Sequence, residues 1–356
     1  MVPGFESILD QNQPIRLLST LFHNGAVPHA LLFTGIEGVG KINCAMVFAM
    51  LCNCLEKRYI SGNQDRIDFS TLTDGYFINP CGSCRVCKKI ESGNHPDIIL
   101  IKPSGNFIRI EQIRDLGNII ALKPYEAKMR VVIISDARYM TPGAGNALLK
   151  SLEEPPERTI FILTANQLSD LMPTIVSRCQ HIRFNPIPLK SITKMLVAKF
   201  SIDQENAEII ASLTGGSFSK ALKLGRTHRV NWINYRKWLL DSVAMNYFTG
   251  ESTETIARSY GLIFALADKL SKNKDLLFES LEMIETWLRD IAIYKYSPDK
   301  VINIDMIENV EYVSGKVSIK SLISKMKAIH KAQKNILANA NPKITLDILI
   351  LRLVGA

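Results

Sequence analysis

The chain has 356 residues, 47% of them apolar and 22% charged, and a formal net charge of +9. Single cores stop growing near roughly 250–300 residues, so two or three domains are expected, and the apolar share is that of a globular protein able to bury large cores rather than of a disordered chain. No apolar run approaches the ~18 residues of a membrane span, and the start MVPGFESILDQNQ lacks the basic stretch and apolar core of a secretory signal. A cytoplasmic protein is expected. In a reducing compartment seven cysteines do not form a disulfide framework, and clustered ones point to metal instead. The positive charge permits an anionic partner such as DNA without requiring one.

The first informative stretch is HALLFTGIEGVGKINC, His29 to Cys44. An apolar strand, Ala30 to Phe33, opens into a loop bearing Gly35, Gly38, Gly40 and Lys41, and a helix follows. This order fits a phosphate-cradling loop: glycines let backbone N–H groups converge on phosphate oxygens, the helix start adds its positive end, and the lysine adds a point charge. The plain alternative is a glycine-rich turn with a chance lysine. The hydroxyl residue that ordinarily follows the lysine to ligate Mg²⁺ is Ile42 here, which has no oxygen to offer.

Next comes CGSCRVC, with Cys81, Cys84 and Cys87 in a Cys-x-x-Cys-x-x-Cys knuckle able to aim three thiolates at one metal. Structural zinc takes four ligands. Of the upstream Cys44, Cys52 and Cys54, the last is best placed, at the end of the helix leaving the phosphate loop. The stretch from Cys54 to Cys81 reads as loop, with Gly62, Asn63, Gly75 and Pro80, and can fold back. Free thiols and an iron–sulfur cluster are the competing readings. A four-cysteine site has no open coordination position, so it implies nothing catalytic.

Further strands are expected at Asp97–Ile101, Arg130–Ser135, Thr159–Thr164 and His181–Phe184, separated by helical stretches such as Glu111–Leu122. Their alternation predicts an α/β fold with a parallel sheet and crossover helices. The strand ending at Ser135 is followed by Asp136, the acid that completes a nucleotide site. The glutamate that usually comes next to orient the attacking water is replaced by Ala137. Phosphoryl transfer depends on positioning and electrostatics, so two losses at one site predict that any nucleotide bound there is not turned over at a useful rate.

The prolines of FNPIPL, Phe184 to Leu189, mark a domain boundary, after which the pattern is helical to the end. Residues 190 to about 225 read as a small helical unit in which Gly215-Gly216-Ser217 makes a turn and helix start. A longer helical region follows, with Leu281, Ile284, Leu288 and Ile291 on one face and Leu322, Met326, Ile329, Ile336 and Leu337 on another. Lys316 to Lys334 contains six lysines and no acidic residue; it reads as a solvated helix face or as a contact for DNA or a partner.

The motifs HALLFTG..GVGK, CGSCRVC....SGNHPD, GNALLKSLEEPPERTIFILTA, PTIVSRCQHIRF and NILANANPKITLDILILRL cover nearly the whole chain in order. Together they resemble the clamp-loader family of AAA+ proteins in bacterial DNA polymerase III. The resemblance implies a RecA-like domain over residues 1–186 with a zinc module at about 54–90, a helical lid over 187–240, and a helical collar over 241–356 that joins five subunits into a ring. It also implies Zn²⁺ held by Cys54, Cys81, Cys84 and Cys87. In Ser177-Arg178-Cys179 it makes Arg178 an arginine finger reaching ATP bound by a neighbouring subunit; read plainly, Arg178 is a surface residue before a strand. Lid helices of hydrolysing relatives carry an arginine where this chain has Ser219, and Lys220 beside it faces about 100° away.

The losses at Ile42, Ala137 and Ser219 point to a non-hydrolysing subunit, or stator, of a DNA-directed DNA polymerase complex. Retention of Lys41 leaves room for weak ATP binding at Gly35, Gly38, Gly40, Lys41 and Asp136. Implied partners are gamma/tau-type ATPases, a delta-type clamp opener, and, through the complex, the sliding clamp and primed DNA. One competing reading is a catalytically active gamma-type ATPase. A third is a zinc-bearing DNA-binding module relying on Arg85, Lys88 and Lys89.

Overall fold

A computed structural model describes residues 4–61, 76–226, 232, 234–241, 267–268 and 270–354. The chain divides into two compact units, one formed by Met1–Ile192 with Thr214–Leu222, the other by Thr193–Leu213 with Lys223–Ala356. The lid-to-collar junction expected at residue 240 borders residues 242–266, which lie outside the described residues. Among the described residues no helix is long and apolar enough to cross a membrane.

The first unit is built on five parallel strands: β1 (Ala30–Thr34), β4 (Ile98–Ile101), β5 (Arg130–Ile134), β6 (Thr159–Ala165) and β7 (Gln180–Arg183), in the order β4-β5-β6-β1-β7. Strands β1, β5 and β6 are buried along their whole length, as strands of a sheet covered on both faces must be. Successive side chains alternate between the faces. Leu31, Phe33, Val131, Ile133, Ile160 and Ile162 pack on one side with Leu18 of α1 (Asn12–His23) and Phe48 of α2 (Lys41–Asn53). On the other side Leu32, Val132, Ile134, Phe161 and Leu163 meet Leu116 of α4 (Ile110–Ile120) and Leu148 of α5 (Pro142–Glu153). The sheet matches the five expected strands to within a residue or two at each end.

One expectation is corrected. The stretch after Cys54 is not all loop: β2 (Arg58–Ser61) pairs antiparallel with β3 (Tyr76–Asn79), while residues 62–75 between them lie outside the described residues. Both strands are only four residues long and carry no strong apolar alternation, so the turn residues between them dominated the sequence pattern.

A buried ion pair holds the segment between α4 and β5. Arg130 and Asp97 side chains are 4% and 2% exposed and lie 3.2 Å apart. The Asp97 carboxylate accepts the backbone N–H groups of Tyr125, Glu126 and Ala127 at 2.8–2.9 Å. The guanidinium donates to the carbonyls of Ile119, Leu122 and Lys123. Burial alone would raise the Asp97 pKa, but these donors outweigh it and hold it below the ordinary carboxylate value. Asp97→Ala leaves the guanidinium buried without its counter-ion, a change worth about 3–5 kcal/mol. Hydrogen exchange in β4 and β5 should register that loss at neutral pH. Because the native pKa is depressed, the contribution is complete above the unfolded value of about 3.9 and fades as pH falls through the lower native value.

The second unit is helical. Its core joins Leu281, Ile284, Trp287, Leu288 and Ile291 of α10 (Lys274–Tyr294) to Val310 and Val313 of α11 (Ile307–Ser314). Leu322, Ile329 and Ile336 of α12 (Ile319–Leu337) and Leu346, Leu349 and Leu353 of α13 (Pro342–Val354) complete it. The expected faces of α10 and α12 are found with one exception. Leu337 is 62% exposed, because on a helix it points about 100° from buried Ile336. Arg236 is fully buried here, bonded to both carboxylate oxygens of Asp305 and to Asn303, which in turn donates to Asp290.

Candidate functional site

Strand β1 ends at Thr34, residues 35–40 form the loop, and α2 begins at Lys41. Gly35, Gly38 and Gly40 have φ of 146°, 83° and 96°. At Gly38 a side chain is excluded twice, by the left-handed backbone and by neighbours, since an added Cβ would run into the hydroxyls of Ser217 and Ser219. The backbone N–H of Ser219 donates to the Gly38 carbonyl at 3.2 Å. The start of α9 (Phe218–Arg226) therefore lies directly on the loop, and Ser219 occupies the place where an arginine was missed in the sequence.

Lys41 is 6% exposed, and its Nζ donates to the Gly35 carbonyl and to that of Ile36 at 2.8 Å. Burial lowers its pKa, opposed by the negative field of Asp136 and then of Glu37. The structure thus brings Lys41 and Asp136 into one electrostatic environment. Asp136 has φ of 51°, its Oδ2 accepts from the Ser135 hydroxyl at 2.9 Å, and its N–H donates to Thr164 Oγ1. Asn166, just past β6, was not singled out in the sequence: its carbonyl accepts from Gly35 N–H at 3.0 Å, and its buried side-chain Oδ1 has no hydrogen-bond partner among the described residues.

Arg178 follows the short helix α6 (Pro173–Val176) and precedes β7. Its guanidinium donates to the Thr174 carbonyl at 2.9 Å and to Glu153 Oε1 at 2.6 Å, and its bonds do not reach the phosphate loop. The two side chains are 35% and 50% exposed, so this ion pair is open to solvent. Glu153, the last residue of α5, was legible only as one acid in SLEEPP.

The sulfurs of Cys54, Cys81, Cys84 and Cys87 all lie within 4.8 Å of one another and could hold a metal ion. Cys54 caps the C-terminus of α2, and Cys84 caps the N-terminus of α3 (Arg85–Glu91) by accepting from Cys87 N–H. Backbone N–H groups of Cys81 and Cys84 point at the sulfurs of Cys54 and Cys81, at 3.2 and 3.3 Å. Burial pushes the Cys54 and Cys87 thiols up, while at Cys81 hydrogen bonds led by the Cys84 and Ser83 donors overcome burial and bring the value to about 6. Cys44 and Cys52 are buried outside the cluster, and burial alone pushes the Cys44 thiol up. Beyond Cys87, Lys89 donates to both oxygens of Glu126 at 2.7 and 2.8 Å, tying α3 to the segment that Asp97 holds.

A family model described as DNA polymerase III, delta subunit matches residues 10–188, and one for the C-terminal part of that subunit matches residues 253–354. The delta' subunit of DNA polymerase III from Bacillus subtilis is 29% identical over 355 residues, covering 96% of each chain. The tau subunit from the same organism is 25% identical and is matched over 98% of this chain, which spans 61% of that longer protein. A gamma-subunit-related protein of Thermotoga maritima aligns over 94% of this chain and 98% of its own at 18% identity, with a TM-score of 0.42. With its parallel sheet, its glycine loop and a family match across half its length, the chain belongs to the delta-subunit family of DNA polymerase III, among the clamp-loader-type subunits of that polymerase.

Proposed function

We propose that the chain is a non-hydrolysing clamp-loader subunit that assists ATP-driven loading of the sliding clamp onto primed DNA and lends Arg178 to a neighbouring ATPase. The observation that carries this reading is the phosphate loop. Its glycines and Lys41 are present, but Ile42 supplies no magnesium ligand and Ala137 no carboxylate for water. Ser219 closes on Gly38 without bringing a cation. Phosphoryl transfer without metal or an oriented water has no source of rate.

The three-part organisation, with boundaries near 186 and 240, belongs to the same reading, as does a ring of five with gamma/tau-type and delta-type subunits. Zinc is the metal proposed for the four cysteines. Tetrahedral zinc with Zn–S of about 2.3 Å spaces its sulfurs about 3.8 Å apart. The Cys81 and Cys87 sulfurs are 4.0 Å apart. The ion would be structural, fixing α3 against the end of α2.

One comparison favours a second reading, an active gamma-type ATPase: a tau/gamma subunit of Haemophilus influenzae is 31% identical over 57% of this chain, a match that spans 26% of that longer protein. A single experiment separates the two. The purified chain with Mg·ATP and primed DNA is expected to show no turnover above that of Lys41→Ala, while clamp loading by gamma/tau-type partners should require it. Magnesium-dependent hydrolysis abolished by Lys41→Ala would establish the second reading instead.

A further inference from the structure

We propose that the solvent face of α12 binds the phosphate backbone of DNA. Lys320, Lys327, Lys331 and Lys334 are exposed on this helix, whereas Leu322, Ile329, Ala332 and Ile336 are buried on its other side. At 100° per residue the four lysines fall within about 60° of one another, and at 1.5 Å per residue they extend over about 21 Å. The helix carries no aspartate or glutamate. Among the described residues, none of these four lysines is in an ion pair, whereas His330 is paired with Glu285 at 2.6 Å and Lys316 lies over the Tyr312 ring. The row is therefore a line of cations whose charge the described residues leave unneutralised.

A line of this kind suits a linear polyanion better than a protein. Protein interfaces are depleted of lysine and centred on apolar or aromatic anchors. Here the only exposed large apolar residues on the helix are Ile323 and Leu337. Phosphate contacts, by contrast, are made by Lys and Arg and need no base-reading geometry. A row of about 21 Å is longer than the major groove is wide, about 12 Å, so it can reach phosphates of both strands across that groove. The contact would be independent of sequence and sensitive to salt.

The test is fluorescence anisotropy of a labelled 30-base-pair duplex titrated with the full chain at several salt concentrations. Neutralising four phosphate contacts should flatten the slope of log affinity against log salt by about 3.6, which is about 10²-fold in affinity between 50 and 200 mM salt. The variant Lys320→Gln/Lys327→Gln/Lys331→Gln/Lys334→Gln should show this loss, since glutamine keeps good helix propensity. A charge-matched control, Lys190→Gln/Lys194→Gln/Lys199→Gln/Lys237→Gln, should bind like the wild type; all four of its lysines are also exposed. Circular dichroism reports folding, and if the glutamine variant unfolds, the double variant Lys327→Glu/Lys331→Glu provides the reading. The proposal is overturned if the wild type does not bind in low salt, or if both four-lysine variants lose affinity equally. It also falls if the α12 variant keeps DNA affinity but no longer assembles with gamma/tau-type partners, which would make the face a dock for an acidic protein.

Discussion

Arg178→Ala is expected to leave this chain folded and to lower ATP hydrolysis at the adjoining site of the reconstituted loader by about 10³-fold or more. A guanidinium placed at a γ-phosphate neutralises charge that develops in the transition state. Release of the side chain from its own chain would cost little. Its contact with Glu153 is 2.6 Å long but solvent-exposed, and an exposed pair contributes only about 0–1 kcal/mol. Arg178→Lys should recover little, because lysine is a point charge without the planar fork. Steady-state phosphate release by the assembled complex is the measurement. Turnover equal to that of wild type would eliminate the role in trans, while leaving the assignment of the chain to its family untouched.

The second large effect concerns the cysteine cluster. The wild type, purified without chelator, should carry one equivalent of zinc, and Cys84→Ser should carry none. Serine is itself a good helix cap, so this substitution removes a metal ligand while keeping the capping role that Cys84 has toward Cys87 N–H. Metal affinities of structural zinc modules correspond to about 10–16 kcal/mol, and that energy is folding energy. Residues 76–95 should therefore lose hydrogen-exchange protection in the variant, whereas β1 and β6 should keep theirs. Stoichiometric zinc in Cys84→Ser, or none in the wild type, would dismiss the zinc assignment.

The sheet was legible because its strands are short, apolar and punctuated; three cysteines were legible by their Cys-x-x-Cys-x-x-Cys spacing, and Cys54 by its place at the end of the helix and by the family resemblance. What stayed hidden depends on partners distant in sequence. Asp97 and Arg130 read as ends of two separate strands, and only the fold sets them 3.2 Å apart. Glu153 is 25 positions from Arg178. Ser219 could be read as a missing arginine, but not as a residue whose amide bonds Gly38. Leu337 was placed in the core because a spacing rule tolerates neighbours at three, four and seven, while the geometry at the helix end admits only Ile336.

The bond between Ser219 and Gly38 makes two places in the chain answer to one equilibrium. An anion settling on the loop must either accept the geometry set by α9 or displace its first turn. By reciprocity, whatever displaces that turn alters affinity at the loop by the same factor.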